Sequence, residues 1–212
     1  MNTINFNSQT VIPSKVVCIG RNYVDHIKEL NNEIPTEPVV FIKPNSALSD
    51  VLWTTRDPIS NPKEQIHYEA EICFLIKNNQ LAGIGVGLDL TKRQVQTELK
   101  VKGLPWERAK AFDGSAVFSE FIACEGTLSD YEMVLTINNE VAQQANVELM
   151  IHKPEALITE VSRFMSLEDG DILMTGTPKG VGEVKEGDVL HIQLTHRATS
   201  VISQTWHVTS RS

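Results

Sequence analysis

Ile66-His67-Tyr68-Glu69-Ala70-Glu71-Ile72-Cys73-Phe74-Leu75-Ile76 places an apolar or small residue at every second position: Ile66, Tyr68, Ala70, Ile72, Phe74 and Ile76. That period predicts a strand with one buried face. His67, Glu69 and Glu71 then share the opposite face. Glutamate is a poor strand former. Two of them roughly 7 Å apart at Cα repel by about 2 kcal/mol at an effective dielectric near 20. A hard divalent cation reverses the sign of that term. Two readings fit the face: a solvated outer surface, or a covered surface whose acids hold a cation. Cys73 and Leu75 continue it as apolar, which favours the covered reading.

Outward from this segment, Lys77-Asn78-Asn79-Gln80 reads as a hairpin turn, and Gly83 to Leu88 as a glycine-rich strand delivering Asp89. Residues Thr91 to Lys102 favour helix, with Val95 and Leu99 on one side and Gly103 as the stop. Upstream, Val16 to Gly20 is a strand ending at a glycine. Asn22 to Leu30 is helical up to Asn31-Asn32, and Val39 to Ile42 is a second buried strand. Downstream, Tyr131 to Ile137 turns at Asn138-Asn139. A helix with Pro154 near its first position carries Leu157, Val161 and Phe164 at core spacing. The turn Glu168 to Asp171 leads into Ile172-Leu173-Met174, and strands over Val189 to Leu194 and Val201 to Val208 finish the chain. Many short strands and few short helices predict a mixed α+β, β-rich architecture, not a doubly wound sheet.

The 212 residues, 41% apolar and 22% charged, are enough for one sizeable core and too few for two large domains. A net charge of −8 argues against nucleic acid or an anionic membrane surface as the main partner. Cys18, Cys73 and Cys124 are odd in number and lack a C-x-x-C pair, so they read as buried free thiols of a reducing compartment. The first residues are polar and no apolar run approaches the ~20 residues of a membrane span, which makes a cytoplasmic protein the expectation.

Alone, Asp89 reads first as a helix cap. With Glu69 and Glu71 one hairpin away, three carboxylates can converge, and three oxygen ligands suit Mg²⁺ or Mn²⁺ better than zinc. His26 and Glu29 stand at i, i+3, so the carboxylate can orient the imidazole as a general base. Seen alone, the pair is a surface histidine beside a surface glutamate. Lys110 has no local signature. The loop Thr175-Gly176-Thr177-Pro178-Lys179-Gly180-Val181-Gly182 lacks the glycine spacings of nucleotide-binding loops.

Five blocks in order resemble the fumarylacetoacetate hydrolase family, specifically its small acylpyruvase and oxaloacetate decarboxylase type. They are Gly20-Arg21-Asn22-Tyr23 with His26 and Glu29; His67 to Glu71; Leu88 to Thr91 with Arg93 and Gln96; Gly103 to Trp106 with Ala109-Lys110; and Thr175 to Gly182. The resemblance implies a β-sandwich roll over residues 15–212 behind a short extension of residues 1–14, usually a homodimer with Mg²⁺ or Mn²⁺. It implies Glu69, Glu71 and Asp89 as metal ligands, and His26 and Glu29 as the water-activating dyad on a lid helix. Lys110 would stabilise oxyanion or enolate charge, Gln96 would hold water or substrate, Thr177 would bind the substrate carboxylate, and Arg21 and Lys43 would line the site. Where the family commonly has Asp after the helix arginine, this chain has Gln94, which puts local helix support in doubt. The activity expected first is hydrolytic C–C cleavage of a 2,4-diketo acid to pyruvate and a carboxylic acid. Oxaloacetate decarboxylation or keto–enol tautomerisation at the same site is the alternative. A non-catalytic dicarboxylate-binding protein would keep the three acids but have no use for His26 and Glu29.

Overall fold

The glutamate segment is two strands, Ile66–Tyr68 and Ala70–Lys77, broken at Glu69. This is a computed structural model that describes residues 1–29, 33, 35–55 and 65–211. The break is a change of sheet. Ile66–Tyr68 pairs with Gly182–Glu183 and Thr91–Lys92, while Ala70–Lys77 pairs with Gln80–Asp89 and Ile172–Met174. The alternation runs through the break unchanged. Ile66, Tyr68, Ala70, Ile72, Phe74 and Ile76 all enter the main core. Cys73 and Leu75 enter a second, smaller core with Ile4, Val16, Cys18, Phe121 and Met174. The carboxylate face is therefore covered, and the solvated reading falls.

The larger sheet runs in the order Ala116–Phe118, Gln80–Asp89, Ala70–Lys77, Ile172–Met174, Lys15–Gly20, Val39–Pro44. Among the described residues, only Ile172–Met174 against Lys15–Gly20 is parallel within it. A four-stranded antiparallel sheet, Glu140–Asn146, Tyr131–Ile137, Val189–His196 and Thr199–His207, supplies Met133, Leu135, Leu190, Ile192 and Leu194 to the main core. The result is the expected β-rich roll with a few short helices. Residues 4–11 form a hairpin whose Ile4 seals the second core. Among the described residues no helix is long and apolar enough to cross a membrane.

The glycine-rich strand has a steric cause. Cβ atoms at Gly83, Gly85 and Gly87 would lie 2.9, 2.9 and 2.6 Å from the rings of Phe6, Phe121 and Phe118. The three rings pack against one face of that strand, while Ile84, Val86 and Leu88 fill the main core from the other. The strand so held ends at Asp89.

Asp171, fully buried, ties together the starts of two neighbouring parallel strands, Lys15–Gly20 and Ile172–Met174. It accepts hydrogen bonds from the Ser14 hydroxyl (2.7 Å), the Lys15 amide (3.1 Å) and the Glu168 amide (2.9 Å), and pairs with the Lys15 ammonium.

Several local expectations shift. The 91–102 helix begins only at Arg93, after a two-residue strand, and buries Gln96 and Leu99. The Pro154–Val161 helix buries Leu157, Ile158 and Val161, but Phe164 lies beyond its end and is exposed, because the chain has left helical spacing by then. Cys18 and Cys73 are buried thiols, whereas Cys124 is only half-buried. The helix after Tyr23 is Val24–Glu29; its expected end at Leu30 and Asn31-Asn32 lies outside the described residues.

Candidate active site

Three acids meet where the two strand systems part. Glu69 sits at the sheet change, Glu71 on the next strand, and Asp89 at the end of the neighbouring strand, where its amide donates to the Glu69 carbonyl (2.8 Å). All three are buried, and one oxygen from each lies within 4.8 Å of the others. Asp89 is not a helix cap: its carboxylate is held by two lysines. Lys110 Nζ reaches Asp89 Oδ2 (2.6 Å), Glu69 Oε2 (2.8 Å) and the Thr91 hydroxyl (2.6 Å). Lys43 Nζ lies 2.9 Å from Asp89 Oδ1 and donates to the Lys110 carbonyl. Arg93 pairs with the other oxygen of Glu69 and fixes Gln96, donating to its Oε1 (2.7 Å).

The electrostatics divide the acids. Burial alone would push Glu69 up, but Lys110 and Arg93 hold it below the usual carboxylate range. Burial would lower Lys110, yet Asp89 and Glu69 hold its ammonium above its ordinary value. Glu71 is different. Burial raises its carboxyl well above the usual range, Asp89 and Glu69 push the same way, and among the described residues no cationic side chain pairs with it. Among the described residues the hydrogen bond it accepts is from the Gly176 amide, 2.7 Å from Oε2. A third buried carboxylate without a counter-cation, in a set of hard oxygen donors, fits a divalent metal ion.

The Thr175–Gly182 loop shapes the remaining wall. Asn22 clamps it, donating to the Thr175 carbonyl (2.8 Å) and the His152 carbonyl (3.0 Å). Gly176 has φ +98°, and a Cβ there would meet Asn22 Cβ at 2.9 Å, so glycine is required for its amide to reach Glu71. The Thr177 hydroxyl donates to the Ala70 carbonyl (2.9 Å) and accepts from Gln143 Nε2 (2.9 Å). Its proton is thus committed to the protein. Glu29 binds this loop too, accepting from the Gly180 amide (3.0 Å), while its other oxygen lies 3.0 Å from His26 Nδ1. The His26 Nδ1–H donates to that carboxylate, which leaves Nε2 as the basic nitrogen.

One small cavity, about 30 Å³ in volume, is lined by Arg21, His26, Glu69, Glu71, Gln96, Lys110 and Thr177 from the expected set. Asp89, Lys43 and Glu29 stand behind it and hold residues that do face it. Arg93, Lys100, Trp106 and Phe41 also line it without having been singled out as site residues. Arg93 and Trp106 were legible as motif members. Lys100 gave no signal at all. Gln94 is exposed and lies outside the cavity lining, so the departure at this position leaves the wall intact.

The family model described as fumarylacetoacetate (FAA) hydrolase C-terminal matches residues 15–203. The chain belongs to the fumarylacetoacetate hydrolase family. The Escherichia coli (strain K12) family member named oxaloacetate tautomerase YcgM is 43% identical over 195 residues, covering 84% of this chain and 87% of that one. A family structure of the fumarylacetoacetate isomerase/hydrolase kind from Oleispira antarctica superposes with a TM-score of 0.90 at 36% identity, covering 98% and 100% of the two chains. The Pseudomonas aeruginosa fumarylpyruvate hydrolase, solved with Mn²⁺ and pyruvate, is similar at a TM-score of 0.85 and 27% identity, covering 99% and 96%.

Proposed function

We propose that this protein interconverts the keto and enol forms of a small 2-oxo acid of the oxaloacetate class, with Mg²⁺ or Mn²⁺ held by Glu69, Glu71 and Asp89. The observation that carries the reading is the convergence of those three acids on one point, with Glu69, Glu71, Lys110 and the imidazole of His26 lining one cavity. Similarity to a relative named oxaloacetate tautomerase supports it over hydrolysis, the activity expected first from the sequence.

The ion would supply Lewis acidity towards the 2-oxo carboxylate. Lys110, held protonated by its two acids, stabilises negative charge developing on the substrate's 2-oxygen. Gln96, its carbonyl end occupied by Arg93, offers its amide N–H₂ to the substrate. The Thr177 hydroxyl braces the loop, so carboxylate binding at this residue falls to its backbone. His26 Nε2 takes a proton from C3, the C3–H electron pair forms the C2–C3 π bond as the carbonyl π pair moves onto the 2-oxygen, and the imidazolium returns that proton to the 2-oxygen. Ketonisation is the reverse. Glu29 keeps the imidazole in the right tautomer throughout.

Hydrolysis remains the second reading, because the same dyad can activate water and a structural relative is named fumarylpyruvate hydrolase. Measuring oxaloacetate enol loss and acylpyruvate cleavage on one Mg²⁺-loaded sample separates the two. His26→Ala is expected to lower the dominant activity about 10²–10⁴-fold while Mg²⁺ affinity by calorimetry stays within a few-fold. Cleavage outpacing tautomerisation would overturn the first reading, and loss of metal binding would overturn the role of His26. We further propose a cytoplasmic homodimer, to be checked by light scattering.

A further inference from the structure

Five cationic side chains belong to this site, and among the described residues three of them meet an acid. Lys43, Lys110 and Arg93 are engaged with Asp89 and Glu69. Arg21 and Lys100 line the same cavity, yet among the described residues neither has a carboxylate in ion-pair reach. In a chain of net charge −8, two unpaired cations facing one cavity are a specific arrangement.

Their placement is built. Lys100 extends from the Arg93–Val101 helix, and its ammonium lies 5.1 Å from the centre of the Trp106 ring. That ring packs against Gly20, where a Cβ would come within 3.5 Å of it, so the indole spans from Lys100 to the turn that carries Arg21. Arg21 itself is held at φ +58°, a conformation strained for a non-glycine residue, and among the described residues its buried Nε has no hydrogen-bond partner. Burial, then the Arg21 guanidinium, then Arg93 hold Lys100 down at about 8, so it is still protonated at neutral pH. Both residues are half-buried, whereas Glu69 and Glu71 are buried, which sets the pair at the outer part of the cavity.

We propose that Lys100 and Arg21 form an anion subsite that receives the second carboxylate of a dicarboxylic 2-oxo acid, so that this protein selects dianionic over monoanionic substrates. The inference rests on the 2-oxo acid reading of the cavity. With the 2-oxo carboxylate end directed at the three acids, the far end of a four-carbon diacid points outward, where the two unpaired cations stand. An acylpyruvate with an uncharged acyl group would leave them unsatisfied.

Calorimetry on the Mg²⁺-loaded protein with two probes tests this: pyruvate, which lacks a distal carboxylate, and 3,3-difluorooxaloacetate, which has one but no C3 hydrogen to move. The wild type is expected to bind the diacid more tightly. Lys100→Gln is expected to weaken the diacid about tenfold and pyruvate less than twofold, and Lys100→Arg to restore most of the loss. Equal weakening of both probes, or none, overturns the subsite, as does failure of Lys100→Arg to restore binding. A wild type that binds pyruvate without preferring the diacid also overturns it, yet leaves the 2-oxo acid reading standing. A wild type that binds neither probe overturns that reading and the subsite together.

Discussion

Glu71 is the residue whose surroundings say most about the site. Its neighbours Glu69 and Asp89 are each held by ammonium or guanidinium groups, whereas Glu71 receives one backbone amide and the repulsion of two acids. Without a metal, ionising it is unfavourable, because burial and like charge act together. Glu71→Gln keeps the Gly176 hydrogen bond and removes the charge. In metal-free buffer at neutral pH the variant is therefore expected to melt no lower than the wild type. Added Mg²⁺ should stabilise the wild type by about 2.7 kcal/mol at a hundredfold excess over its Kd, and leave the variant unmoved. Scanning calorimetry with and without Mg²⁺ measures both. An equal rise in the two proteins would remove Glu71 from the ligand set.

At the scale of elements, the Gln80–Asp89 strand positions Asp89 through packing as much as through its ladder. Phe6, Phe121 and Phe118 occupy the space that side chains at 83, 85 and 87 would need. Phe121 is fully buried and has little room to retreat. Gly85→Ala is expected to destabilise the fold by about 1–3 kcal/mol, read as a lower urea midpoint with an unchanged slope. A neutral result would mean that the ring yields freely. The glycine-rich composition of this strand was legible in the sequence; its cause was not, because the three rings come from segments 77 to 31 residues away along the chain. The break at Glu69 was hidden for a related reason. The period-two pattern continues through it, since both sheets present their apolar side chains to one shared core.

Across the whole molecule, Asp171 joins the entry of the first sheet strand at Ser14 and Lys15 to a turn more than 150 residues later. Burial alone would raise its carboxyl, but the Lys15 and Ser14 hydrogen bonds win and hold it below the usual range. A carboxyl depressed in the folded state contributes its full stability above the ordinary carboxylate pKa and loses it as pH falls through the folded value. The wild type is therefore expected to keep its urea resistance from pH 7 down to about pH 5 and to lose it as the pH falls below about 4. Asp171→Asn should start about 2–3 kcal/mol lower at pH 7 and show a shallower acid slope. Parallel slopes would place the acid sensitivity elsewhere.

Local patterns in the chain determined a great deal: strands alternating around the main core, a face bearing two glutamates, a glycine-rich strand ending at Asp89, and an imidazole and a carboxylate set within reach of each other at positions 26 and 29. These depend on residues one to four positions apart, which backbone periodicity places without outside help. Which charge meets which was decided only in three dimensions. Lys110 reaches Glu69 across 41 positions, Lys43 stands behind Asp89 and not in the cavity, and Gly176 meets Glu71 across 105. Lys100, silent in the sequence, acquires meaning only beside Arg21. In a β-rich roll such pairings follow from sheet order, and sheet order is a property of the folded chain, not of any window within it.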